Sequence, residues 1–403
     1  MAPTQAGGDR LHGLDAFRGC ALFLGVVEHS AMAYMLPPSW IVINSQTSGV
    51  AGALFFFIHM FRMTAFYVVA GLFAHLMIQR RGWVGFVKDR SIRIAGVLFA
   101  MWPVVCAAII GVTVFNAAIH KGGGNEGPPP PPLTLGTVPL THLWFLWVLL
   151  ILYAVMLAVR AVLSLDRSGG FVRTADRAAD LLIGWWSPVL LAIPLALVFY
   201  LTPDWIPFLT IPSPESGLVP NAQAMTAFGV AFGIGVLLDR RRDLLVVIER
   251  RWPLFTVVAV LSGAAALYLV GGPVPHNMGP MTDPGMKVIT ASACAIADYA
   301  MTFASFALAL RFASGHSAVR RYLADSSYWV YIVHVAVAML VQVLVLTEPW
   351  PWYVKYLTVL TVATAVSLIS YELLVRHTWL GRWINGRRVP RRAPAVDVAV
   401  PVK

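Results

Sequence analysis

Ten apolar runs, each near the length that spans a hydrocarbon core, set the terms for this chain. About 20 consecutive apolar residues are needed to cross a bilayer as a helix. Backbone groups in lipid have no water to bond, so runs of this kind must be helices. The runs are 17–36, 51–78, 92–115, 143–163, 181–201, 222–238, 253–271, 288–310, 327–346 and 353–374. The expected fold class is therefore an all-α polytopic membrane protein of about ten transmembrane helices.

Charge tests this count. With the N-terminus in the cytoplasm, only Lys121, Lys287, Lys355 and Arg62 of the 30 Lys and Arg fall off the cytoplasmic segments. A bias that one-sided obeys the positive-inside rule and puts both termini in the cytoplasm. It also accounts for the net charge of +11 without any nucleic-acid partner, because the basic residues sit in short clusters between apolar runs. Membrane lipids are the expected surroundings, in a bacterial inner membrane crossed many times. The competing reading of the first run is a cleavable signal peptide ending near "SAMA", Ser30–Ala33, which would discard Glu28 and His29. Cys20, Cys106 and Cys294 all lie in apolar runs, with no metal spacing and no disulfide framework. No metal site is expected. The domain reading is one membrane domain over 14–380, a short cytoplasmic segment at 1–13 and a basic tail at 381–403. "HKGGGNEGPPPPP" reads as a solvated spacer, and "DWIPFLTIPSPESGLVPN" as a segment that caps the outer face or lies in the interface.

Ionisable side chains inside a membrane are costly and usually face a bundle interior or a wet cavity. Here they are few: Glu28, His29, His59, Arg62, Asp298, His334 and Glu372, with His142 at the mouth of the fourth run. Arg18 and His29 are eleven residues apart, about three helical turns and roughly 16 Å of rise, so they share an azimuth. Such a pair suits a ligand whose anionic head stays at one surface while its reactive end reaches inward. The bland alternative for Arg18 is an interfacial ion pair with Asp15. His29 is the candidate general base, since an imidazole can take a proton near neutral pH. His59 and Arg62 lie at i and i+3. Arg62 requires an anion, from Glu28, Asp298 or a ligand. Arg90 and Arg93 share a helical face at the start of the third run and suit phosphate oxygens. His142 and His334 sit among aromatic residues and read equally well as hydrogen-bonded core histidines.

Together these pieces resemble the membrane-bound acyltransferase family 3, and within it a branch linked to succinylation of periplasmic glucans. The likeness rests on Arg18 with His29, on Arg90 with Arg93, and on "HMFRMTAFYVVAGLF", "HLWFLWVLLILY", "YWVYIVHVAV" and "SYELLVRHTWL", in that order. It implies transfer of an acyl group, succinyl or acetyl, from cytoplasmic acyl-CoA to a hydroxyl of a periplasmic glucan or other envelope glycan. No tightly bound cofactor is implied, because acyl-CoA is a co-substrate; association with glucan synthesis machinery is a further expectation. His29, Arg62 and His334 would then be catalytic, and Arg18, Arg90 and Arg93 would hold the CoA. Asp15, Glu28, His59, His142, Asp298 and Glu372 would bind substrate or support the site. The rival readings are a transporter or flippase that uses the buried His, Glu and Arg for proton coupling, and a non-catalytic subunit of a glucan synthase.

Overall fold

The computed structural model describes residues 3–36, 38, 40–120, 132–166, 168–275, 278–315, 317–386 and 389–390. The low-complexity spacer from Lys121 to Pro131 and the tail from 391 onward lie outside the described residues, as does the side chain of Asp15. Thirteen α-helices carry the described chain, which has one isolated β-bridge, between Pro139 and Ser216.

Each of the ten apolar runs is helical. They fall in α1 (Pro3–Ala31), α2 (Gly49–Arg90), α3 (Gly96–Ile119), α4 (Trp144–Leu163), α6 (Ser187–Leu201), α7 (Ala222–Arg240), α9 (Trp252–Leu269), α10 (Pro284–Phe312), α11 (Ala318–Leu344) and α12 (Trp352–Ser370). By length and apolar composition, seven helical stretches among the described residues can cross a membrane, or eight if α6 and the helix before it count as one bent span. The number is below ten for local reasons. Gly49–Ile119 is a single helical stretch of 71 residues holding two of the runs. Drawn straight it would extend about 107 Å, far more than a bilayer. Gly82, at φ 69° and ψ 171°, breaks it. α6 has 15 residues and spans only about 22 Å. α1 is polar over its first half and is not among the seven.

Three short helices were not anticipated. α5 (Gly170–Leu182) and α8 (Asp243–Arg250) are amphipathic and join longer helices, and α13 (Trp379–Asn385) follows the last apolar run. α5 meets α6 at a bend of 103° and is tied to the end of α7 by Asp176–Arg240 and Asp180–Arg241 ion pairs.

Packing follows from which helices are polar enough to need partners. α1 lies between α2, α10 and α11, and the latter two are largely buried. α4, α9 and α12 bury a minority of their apolar surface and form the periphery. α2 and α7 approach with backbones in contact: a Cβ on Gly71 would overlap the Phe232 carbonyl, and one on Gly235 the Val68 carbonyl. Small residues of this kind let membrane helices associate by close packing. Two lysines expected outside the cytoplasm cap helix ends. Lys287 Nζ donates to the Thr202 carbonyl at the end of α6, and Lys355 Nζ to the Leu346 carbonyl just past α11.

Candidate active site

Two cavities follow one another along α1 and share Leu22 on it. The first, about 480 Å³, is lined by Arg18, Arg80, Arg81, Arg90 and Arg93. The second, about 250 Å³, is lined by His29, Glu28, His59, Arg62, His142 and His334. Leu22, Phe145 and Tyr331 belong to the walls of both. The three helical turns between Arg18 and His29 thus carry the chain past a neck, with an arginine on one side and a histidine on the other.

In the histidine cavity, Glu28 is the anion that Arg62 requires. Its Oε2 lies 2.9 Å from Arg62 Nε, and its Oε1 lies 2.8 Å from His59 Nδ1. The other ring nitrogen of His59 is 3.1 Å from the Ile211 carbonyl. Both ring nitrogens of His59 therefore face oxygens. Arg62 has no hydrogen bond from its terminal nitrogens among the described residues. Its Nη1 reaches the α1 backbone at Gly25, where a Cβ would stand 2.5 Å from Nη1 and 3.5 Å from His334 Nε2. Gly25 leaves the space in which these two groups converge.

The histidines are held in defined tautomers. His334 Nδ1 lies 3.0 Å and 2.9 Å from the Val330 and Tyr331 carbonyls, so Nδ1 carries the hydrogen and Nε2 is bare. His142 Nε2 donates to the Ile332 carbonyl at 3.2 Å, leaving Nδ1 bare. The residue before it, Thr141, has φ of 51°, a strained value for a residue with a Cβ. Tyr331 Oη donates to the His142 carbonyl at 2.7 Å and stitches α11 to this turn. His29 packs between His334, at 5.2 Å between ring centroids, and Trp40, stacked at 5.4 Å. Trp40 Nε1 donates to Gln342 Oε1, and Gln342 Nε2 donates to the His29 carbonyl. His29 Nδ1 is buried without a hydrogen-bond partner among the described residues.

The segment from Thr202 to Asn221 caps this cavity. Leu209, Pro212, Ser213 and Glu215 line it, and the His59 bond to Ile211 fastens it down. Phe208 packs on Phe55 and Phe56. The Glu215 side chain keeps exposed surface and lines the cavity. Loss of solvation pushes its carboxyl above the ordinary carboxylate value, opposed by His59 and aided by Glu28.

In the arginine cavity, Arg90 and Arg93 flank the start of a π-helical segment, Ser91–Ala95. π turns of this kind frequently sit at functional sites. Arg90 lies over the rings of Phe86 and Tyr153, each 5.7 Å away, and Arg18 lies over Phe73 at 5.8 Å. Tyr328 Oη donates to the Arg93 carbonyl, and Trp383 Nε1 to the Ile92 carbonyl. Ile384 and Asn385 bring the end of α13, from the segment read as a basic tail, into the cavity wall.

Two sequence candidates line neither cavity. Asp298 on α10 accepts from Thr64 Oγ1 at 2.8 Å and does not reach Arg62. Glu372, in a second π segment (Tyr371–Arg376), takes Arg376 in a two-pronged pair and His377 at 3.1 Å. Conversely, Gly25, Trp40, Asp89 and Glu215 were not singled out. Only the approach of distant segments gives them a role, although Trp40 and Glu215 were visible as an aromatic and an acid flanking apolar runs. No cluster of three His, Cys, Asp or Glu suited to a metal ion occurs among the described residues.

The family model described as "Acyltransferase domain" matches residues 11–372, which hold the whole lining of the histidine cavity and all of the arginine cavity's but Ile384 and Asn385. Glucans biosynthesis protein C of Escherichia coli strain K12 is 30% identical over 158 residues, 38% of this chain and 39% of that protein. The protein of the same name from Escherichia coli O1:K1 / APEC is 27% identical over 157 residues, 38% and 39% of the two chains. The chain thus spans about two fifths of the length of these relatives. No solved structure matches it. With the family match running from α1 through the second π segment, the chain belongs to the acyltransferase family 3.

Proposed function

We propose that this protein transfers an acyl group, succinyl first and acetyl as the alternative donor, from cytoplasmic acyl-CoA to a hydroxyl of a periplasmic glucan or other envelope glycan. The proposal includes ten membrane crossings in the bacterial inner membrane with both termini in the cytoplasm, as the charge asymmetry supports. The observation that carries it is the pair of cavities meeting at Leu22, Phe145 and Tyr331, one rimmed by arginines and the other by histidines. The name of the relatives, glucans biosynthesis protein C, supports a glucan acceptor.

In this reading Arg18, Arg90 and Arg93 hold the CoA phosphates, and the pantetheine arm passes the neck with the thioester at its tip. His29 takes the proton of the acceptor hydroxyl as its oxygen attacks the thioester carbonyl. The carbonyl oxygen becomes an oxyanion, and the terminal nitrogens of Arg62, not used by Glu28, stabilise it or the distal carboxylate of a succinyl group. The C–S bond then breaks, the CoA thiolate takes the proton from His29, and the ester remains on the glycan. The bare Nε2 of His334 beside His29 completes the basic pair. Glu28 and His59 keep Arg62 in place, and no covalent acyl-enzyme is required.

The test is mass spectrometry of periplasmic glucans from cells with the protein, without it and with His29→Ala. A mass increment of one acyl group that needs both the protein and His29 supports the reading, and its size names the donor. Glucans identical in all three would remove the glucan acceptor.

A further inference from the structure

Asp89 stands behind the arginine cavity. Its carboxylate is 7% exposed and is absent from the cavity wall, whereas Arg81, Arg90 and Arg93 all line that wall. Oδ1 lies 3.4 Å from Arg81 Nη1 and 3.2 Å from Arg93 Nη1, and Oδ2 lies 3.7 Å from Arg90 Nε. One buried anion is thus shared by three guanidinium groups, which are 58%, 29% and 20% exposed in the order Arg81, Arg93, Arg90. Three like charges this close repel. The carboxylate sits among them, in a hydrogen bond with Arg81 and ion pairs with Arg93 and Arg90, and each fork keeps other donors. The cluster has other neighbours as well: Arg90 contacts Met77 Sδ and two aromatic rings, and the Arg93 guanidinium lies against Gly386.

We propose that Asp89 is the positioning residue of a polyphosphate cradle: it gathers Arg81, Arg90 and Arg93 so that their outward donors meet the phosphates of a nucleotide-bearing acyl donor. The cluster keeps a net positive charge after Asp89 is counted, and Arg18 and Arg80 on the same wall add to it. A ligand with several anionic oxygens close together matches that field, and an isolated carboxylate does not. Organisation in advance of binding lowers the ordering cost that an unconstrained arginine cluster would impose on the ligand. The cradle rests on the acyl-CoA reading above, and its test separates the two.

Coenzyme A binding to the full-length protein in detergent is measured by calorimetry, beside steady-state transfer from succinyl-CoA. Asp89→Asn should raise both the Kd for coenzyme A and the KM about tenfold, the weight of one charge-assisted hydrogen bond. The kcat should stay within about twofold, as expected when only ground-state binding is lost. Asp89→Glu, which keeps the charge one methylene further out, should raise both constants by about threefold. An unchanged Kd in Asp89→Asn, with the wild type binding, overturns the role of Asp89 and leaves the acyl-CoA reading standing. A fall in kcat and folded yield at constant KM would mark Asp89 as merely structural and overturn it too. Absence of coenzyme A binding by the wild type would remove the reading and the cradle together. Should Asp89→Asn not fold, the Kd of Asp89→Glu decides: a raised value supports the cradle and an unchanged one overturns it.

Discussion

The Nδ1–H of His334 is fixed on the Tyr331 carbonyl at 2.9 Å, so Nε2 is the ring nitrogen that keeps the lone pair. His29, 5.2 Å away between ring centroids, completes a pair of imidazoles at the point where acyl transfer is proposed. His29→Ala and His334→Ala should each lower kcat by about two to four orders of magnitude, the usual weight of a general base. The amount of folded protein should not change. Full kcat in His334→Ala would reduce that ring to a packing role.

Gly25 decides where Arg62 ends. A methyl group there would stand 2.5 Å from Arg62 Nη1, so Gly25→Ala should push the guanidinium out of the gap it shares with His334. We expect at least about a tenfold loss of transfer, from misplacement alone. Binding of coenzyme A should be unaffected, because the arginine cavity lies beyond the neck. Wild-type turnover in Gly25→Ala would show that Arg62 need not occupy this position.

Glu215 gives a pH signature. Its raised carboxyl pKa means that the folded chain holds this proton more tightly than the unfolded chain. The group therefore favours the folded state at low pH. That advantage is lost as pH rises from the ordinary carboxylate value through the raised one. Glu215→Gln should remove this slope from a plot of thermal midpoint against pH in detergent. An unaltered slope would assign it to another group.

The neck can be closed by substitution. Leu22→Trp adds bulk where Leu22, Phe145 and Tyr331 wall both cavities. Coenzyme A should still bind through its phosphates while transfer falls below detection. Leu22→Ala should keep transfer. Normal turnover in Leu22→Trp would mean that the thioester does not travel this way.

The helical character of each run, and the shared azimuth of Arg18 and His29, are legible in the sequence because helix periodicity is a local property. Arg62 announces its need for an anion in the same way, since a lone guanidinium in lipid is untenable. Which anion answers is not local. Glu28 and Asp298 were equal on paper, and the packing of α1 against α2 brings Glu28 to it while Thr64 engages Asp298. Asp89 reads in "KDRSIR" as one acid among cytoplasmic bases, and its burial behind three arginines exists only once α2 and the π segment are in place. α13 escaped notice because hydropathy windows see length, and seven residues are too few. Glu215 and Trp40 belong to connections, where tertiary contacts alone determine what a side chain faces.

The neck also fixes where voltage acts. In an energised membrane the potential falls where water stops, and Leu22, Phe145 and Tyr331 are the residues that wall both cavities. A unit charge crossing 100 mV exchanges about 2.3 kcal/mol with the field. Under the proposed acyl transfer, the field would be focused where the acyl arm passes these residues. A dicarboxylic acyl group would carry charge through that interval and a neutral acetyl group would not, so the two donors would differ in how their transfer responds to membrane potential.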